Sequence, residues 1–218
     1  MIIRTLPYMA VVFPMFPLNL VVYPGENLRL HIFEPRYKQL INECLSDHKN
    51  FGIPTIIDKK LLGIGTEVEI QSVDKKYPGG ELDISTIGVK RLKVEHFYKI
   101  AEGKLYPGAE ISWLTENAEQ THELIGHVKD LLKRLHQALG ITKKFAETPK
   151  NSFSYEIGHH IGLSLKQEYH LLTLNQESKR LSFIKKHLET ILPVVMETER
   201  LKARAKLNGH YKNVIPPK

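Results

Sequence analysis

The chain of 218 residues has a single cysteine, Cys44. No internal disulfide can form, and a chain of this length, which buries roughly 70% of its unfolded surface, needs none. Cysteine usage of this kind points to a reducing compartment, so the expected location is cytoplasmic. On the apolar face of a predicted helix, Cys44 reads as core and not as a nucleophile. A Walker A loop is also missing, since no G-x-x-x-x-G-K-[ST] occurs. Gly63-Ile64-Gly65-Thr66 lacks the lysine and the spacing and precedes a strand, so it reads as a turn. Metal-binding histidine spacing is absent too. His122 and His127 stand five apart, about 140° beyond a full helical turn, where a zinc-protease helix requires i and i+4. His159 and His160 point about 100° apart, and one of them reads as packed beside Ile157 and Ile161. No cofactor and no metal are expected.

Charge is missing from Thr5 to Gly25, directly after Arg4. The run carries Pro7, Pro14, Pro17, Asn19 and Pro24, which a signal sequence or spanning helix would have to hold as breaks in lipid. It reads as sheet core, and no membrane contact is expected. Internal repeats and low-complexity segments are likewise lacking.

What is present begins with Phe13-Pro14-Met15-Phe16-Pro17-Leu18, runs through Tyr23-Pro24-Gly25 and ends at Ile32-Phe33-Glu34-Pro35-Arg36-Tyr37. Leu28, Leu30 and Ile32 alternate with Arg29, His31 and Phe33, the period of a strand with one buried face. Pro35 is placed to open a helix over about 35–46, with Glu34 and Arg36 as a structural ion pair beside its first turn. Strands are predicted at about 10–16, 28–33, 51–57, 82–87, 90–94 and 97–105, with another around Val68 and Ile70. Pro54 marks a bulge or edge, and Tyr77-Pro78-Gly79-Gly80 marks a turn.

These motifs, in this order and spacing, resemble the amino-terminal substrate-binding domain of the Lon proteases, as does Gly88-Val89-Lys90-Arg91-Leu92-Lys93-Val94 further on. Leu92 departs from the aromatic more usual there. The resemblance covers roughly residues 9–207, tightly in the first half and more loosely in the second. It implies an α+β protein: a PUA-like β-barrel amino-terminal domain followed by an α-helical carboxy-terminal domain with a long final helix. It also implies a non-catalytic module that binds unfolded polypeptide or a protein partner. No stretch resembles the ATPase module or the segment carrying a serine–lysine protease dyad, so no peptidase activity is expected of these residues. A stand-alone member of the family is the expectation, with Phe16, Leu18, Phe33, Arg36, Tyr37 and Arg91 as its substrate-binding residues.

Composition changes past Trp113. Residues 1–118 carry no net charge, and the whole excess of +7 lies in 119–218, together with eight of the eleven histidines. The predicted domains are therefore 1–116, β-rich, and 117–218, helical and basic. Leu124, Val128, Leu131, Leu132, Leu135 and Leu139 form one helical stripe that Gly140 stops. Lys143 to Ser152 reads as a connection. Helices follow at about 152–161, 165–174 and 176–207, the last with Asn175 as its cap. In that helix Leu181, Ile184, Leu188, Ile191 and Val195 make a coiled-coil-like seam that fades past Pro193, where a kink or restart is expected. Self-association through this helix is a further partner expectation. RNA is the rival partner, since PUA-type folds occur in RNA-acting proteins and the second half is basic, with Lys202, Arg204, Lys206 and Lys212 near its end. The chain shows no aromatic–basic interleaving of the stacking kind, which disfavours that reading.

Overall fold

The computed structural model describes residues 12–116, 121–142 and 152–211. Residues 1–8, which precede the family resemblance, all of the expected connection but Ser152, and Lys212 lie outside them. Two compact units divide the chain: Met1–Glu116 with Leu163–Asn175, and Asn117–Gly162 with Gln176–Lys218.

In the first unit an antiparallel sheet runs in the order β1 (Phe13–Pro14), β6 (Gly108–Trp113), β5 (Leu82–Tyr98), β4 (Lys60–Lys76) and β3 (Phe51–Ile57), while β2 (Asn27–Ile32) also pairs with β5. The ring of strands closes through the proline-rich segment. Just past β1, the Met15 N–H donates to the Pro107 carbonyl (2.9 Å), Phe16 to Gly52 (2.7 Å) and Leu18 to Pro54 (3.2 Å), and Ile56 donates to Leu18 (2.7 Å). Pro14 and Pro17 have no N–H to leave unpaired, so a segment that would weaken a central strand serves as the seam of a barrel.

Gly63-Ile64-Gly65-Thr66, expected as a turn, instead lies inside β4. The β3–β4 turn is made by Asp58 and Lys59, both with positive φ (51° and 63°). Gly65 is needed for proximity: a Cβ there would stand 2.5 Å from the Ile53 carbonyl oxygen and 2.7 Å from Pro54 Cα, where β3 bulges toward it. Gly88 likewise does not divide two strands but sits within β5. It donates to the Glu26 carbonyl and accepts from Gly25 (both 2.8 Å), and a Cβ would collide with the Tyr23 carbonyl.

Helix α1 (Pro35–Asp47) opens on Pro35 and lays Tyr37, Leu40, Ile41 and Cys44 on a core of Phe16, Val22, Phe51, Ile53, Val68 and Ile84. Burial, with Glu43 and Asp47 nearby, pushes the Cys44 thiol up to about 12, so at neutral pH it stays protonated. A boundary at 116/117 alone would assign α4 (Leu165–Thr173) to the helical part; its contacts assign it to the sheet unit. Ser164 and Gln167 form a capping box at its start, a Ser-x-x-Gln signal present in the sequence. Tyr23 Oη donates to the Glu168 carbonyl (3.2 Å), and the Ile64 N–H donates to Tyr169 Oη (3.1 Å).

Arg91, 1% exposed, holds the other end of α4. Its Nη1 donates to the carbonyls of Leu172 (3.0 Å) and Leu174 (3.2 Å) and to Asn175 Oδ1 (3.1 Å), and its Nε donates to Glu116 Oε1 (3.1 Å). A cation at a helix carboxyl end satisfies carbonyls that no intrahelical N–H reaches and opposes the helix dipole.

The second unit contains α2 (His122–Leu139), α3 (Phe153–Gly158) and α5 (Glu177–Tyr211). Helix α2 packs on α5 and buries Val128, Leu132 and Leu135, and Gly140 ends it at φ 67°. On α5 the buried seam is Leu181, Ile184, Leu188 and Leu192; Ile191 and Val195 are half-buried. The helix runs on through Pro193 to Tyr211. Phe153, Ile157 and Ile161 are buried as expected, whereas His159 and His160 are both exposed. Arg180, also buried, pairs with Glu177 (2.9 Å), donates to Ser154 Oγ (2.9 Å) and lies 4.3 Å from the Tyr155 ring centre. Among the described residues no helix is long and apolar enough to cross a membrane.

Replacing Arg91 by methionine keeps the volume and removes its hydrogen bonds to two helix-end carbonyls, Asn175 and Glu116. We expect a loss of about 3–5 kcal/mol, the cost of breaking a buried charge interaction. Urea denaturation followed by circular dichroism measures it, and a change within about 0.5 kcal/mol, as for a surface substitution, would refute the anchoring role.

Candidate functional site

Six residues carry the binding expectation, and the structure separates them. Phe16 and Tyr37 are core: 7% and 5% exposed, they stack on one another with ring centres 3.9 Å apart, and Phe51 lies 6.3 Å from Phe16. Burial holds the Tyr37 hydroxyl above the usual phenol range. Arg91 is the buried anchor of α4. None of these three presents a surface to a ligand. Leu18 is half-buried in the closing seam and packs against the same core. Phe33 and Arg36 are exposed, Phe33 at 60%.

The strand period explains the separation. Leu28, Leu30 and Ile32 turn toward the core, so Arg29, His31 and then Phe33 turn outward at the point where β2 hands over to α1. His31 lies opposite Asp83 in the β2–β5 register. Its Nδ1 is 2.6 Å from Asp83 Oδ1, and Tyr77 Oη donates to Asp83 Oδ2 (2.8 Å). Phe33 stacks against His31 with ring centres 5.9 Å apart, and Tyr77 meets the imidazole edge-on at 5.7 Å. Lys75 lies 4.4 Å from the Tyr77 ring centre. At the helix start, Arg36 pairs with Glu34 (2.7 Å) and its guanidinium lies 4.5 Å from the Tyr37 ring centre.

These residues form an aromatic shelf, Phe33–His31–Tyr77, rimmed by Arg36 and Lys75. The hydrogen bonds from His31 and then Tyr77 hold the Asp83 carboxyl below its usual range. A depressed carboxylate stabilises above its unfolded pKa and loses that contribution as pH falls through the folded one, so the contribution of these hydrogen bonds is present at neutral pH and lost in acid. The sequence reading missed His31 and Tyr77. Outward strand period placed His31 there, but Tyr77 reads as turn chemistry, and nothing local tells that its turn folds back over β2.

The shelf carries no arrangement of nucleophile and base. In the second unit, His122 and His127 border a hollow with Thr121, Glu123, Leu124 and Ser178. Among the described residues no group of three histidine, cysteine, aspartate or glutamate side chains is placed to hold a metal ion.

The profile of the family described as the ATP-dependent protease La (Lon) substrate-binding domain matches residues 12–190. A solved Lon N-terminal domain protein from Xanthomonas campestris is similar at 26% identity over 78% of this chain and 95% of that one, with a TM-score of 0.58. The N-terminal domain of the Mycobacterium avium complex Lon protease shares the fold at 16% identity, over 82% of this chain and 98% of that one, with a TM-score of 0.62. No curated protein matches the chain in sequence.

Substitution separates core from surface. Phe16→Ala should cost about 3–5 kcal/mol of stability through the cavity it leaves. Phe33→Ala should stay within about 0.5 kcal/mol. Paired urea melts measure both, and equal losses would place Phe33 in the core and remove it from the shelf.

Proposed function

The chain belongs to the Lon substrate-binding domain family, and from that membership we propose that it is a non-catalytic module recognising unfolded polypeptide or a protein partner, as an adaptor in protein quality control. The observation that carries this reading is Phe33: a large apolar side chain more than half exposed, set directly after β2 and stacked on His31 of that paired strand, so that little order remains to be imposed when a ligand arrives. Aromatic rings fixed in this way offer contact area to any extended chain with apolar side chains, which suits a receptor for unfolded protein better than one for a single sequence. The 218 residues hold no Walker A loop, in keeping with a role in recognition and not in ATP-driven cleavage.

The test is fluorescence anisotropy of a labelled, permanently unfolded protein titrated with the purified chain at low and at moderately high salt. Binding that survives salt and weakens severalfold in Phe33→Ala is expected. Binding confined to RNA, falling steeply with salt, would favour the rival reading and overturn this one.

Self-association is the second part of the reading. Val194 (66% exposed), Met196 (49%) and Leu201 (53%) are apolar and open from the middle of α5 onward, and a second copy would cover them. Sedimentation velocity should show a dimer that Val194→Glu together with Leu201→Glu converts to monomer. A monomer at all concentrations would remove α5 as an interface.

A further inference from the structure

A cleft of about 440 Å³ in the first unit takes no part in the shelf. Val12, Phe13 and Pro14 form one wall, Asp47 and Asn50 at the carboxyl end of α1 and just beyond it form another, and Glu67 of β4 borders it as well. The carboxylates in its lining differ in how they are served. Glu43 accepts from Tyr106 Oη (2.5 Å), Lys104 Nζ (2.7 Å) and Gln39 Nε2 (3.0 Å), and Asp47 accepts from Lys49 Nζ (2.9 Å). Glu67, only 7% exposed, accepts one hydrogen bond at Oε1, from Asn50 Nδ2 (2.7 Å). Its Oε2 is buried and accepts none from any described residue. A buried carboxylate oxygen with no donor is costly, and a cation brought within hydrogen-bond range removes that cost.

The nearest cation is drawn elsewhere. Lys90, opposite Glu67 in the β4–β5 register, holds its ammonium 3.5 Å from Oε2, an ion-pair distance, while lying 3.8 Å from the ring centre of Trp113. Trp113 is 44% exposed and meets Phe13 edge-on with centres 5.6 Å apart. A carboxylate beside an aromatic face is a cation site, and here a half-exposed, flexible lysine occupies it loosely. Lys49 and Lys104, which line the cleft, are paired with Asp47 and Glu43, whereas Lys90 and Trp113 stand just outside the lining and meet it through Glu67 and Phe13.

We propose that the edge of this cleft, where Glu67 and Phe13 of its lining adjoin Lys90 and Trp113, receives an arginine side chain of a bound extended polypeptide, its guanidinium between Glu67 and Trp113 in the place Lys90 now holds and its apolar neighbours along Val12, Phe13 and Pro14. A planar fork of donors reaches a carboxylate and stacks on an indole together, which a compact ammonium does less well. The inference rests on the polypeptide-binding reading above and adds to it a preference for basic residues flanked by apolar ones.

Trp113 is the one tryptophan of the chain, so its fluorescence reports the site directly. The probes are an unstructured leucine- and alanine-containing peptide with one arginine, and its twin with the neutral isostere citrulline. The arginine peptide should bind about tenfold more tightly and shift the Trp113 emission, Glu67→Gln should abolish that preference, and Lys90→Met should strengthen it. Circular dichroism of Glu67→Gln checks its folding, and Lys90→Met, at an exposed position, tests the same site if that variant unfolds. Equal binding of the two peptides to the unmodified protein would overturn the arginine site and leave polypeptide recognition standing. Binding of neither peptide would overturn both.

Discussion

The sheet unit depends on a strand that is poor in donors. Residues 13–18 pair with β6 on one side and β3 on the other, and this double pairing turns an open sheet into a ring. Two prolines sit at positions where no N–H is needed, and every donor that remains between them has a partner. Closure places Met15 and Phe16 in different apolar clusters, the first with Leu92 and Ala109, the second under α1 with Tyr37 and Phe51. The stack of Phe16 on Tyr37 then seats α1 on this core.

A second constraint is electrostatic. Arg91 is buried in the sheet unit and donates to the carboxyl end of α4, to Asn175 just beyond it and to Glu116. Glu116 and Asn175 are the residues at which the chain leaves this unit. One guanidinium therefore holds two points of departure, and it explains why a helix that follows most of the helical part in sequence packs with the strands. A buried cation costs several kcal/mol to desolvate, and the helix-end carbonyls and the carboxylate offset that cost together.

Function is consigned to what these constraints leave outside. The shelf consists of side chains displaced outward by strand period, and the cleft beside Trp113 consists of charges that the core does not need. Each is anchored to paired strands, the shelf through His31 of β2 and the cleft through Glu67 of β4. On the proposed reading the shelf would offer apolar contact with little sequence preference, and the cleft would add a charge requirement.

Much was legible along the chain because it depends on neighbours in sequence. The alternation in β2 and the start of α1 at Pro35 follow from backbone geometry within a few residues, as do the stripe of α2 and the turn at Tyr77-Pro78-Gly79-Gly80. The motif order from Phe13 to Val94 identified the family through the same local signals. Tertiary structure alone decided that Phe16 and Tyr37, expected at the site, are core. Strand period already turns Phe33 outward, whereas the burial of Phe16 depends on a ring closed by pairing with Gly52 and Pro54, more than thirty residues further along the chain. Nor does local sequence tell that Gly65 lies in a strand pressed against Pro54, that Arg91 faces a helix over eighty residues distant, or that Lys90 lies between Glu67 and Trp113. Burial and charge pairing are properties of surfaces brought together from remote segments, whereas strand and helix periods are properties of a single one.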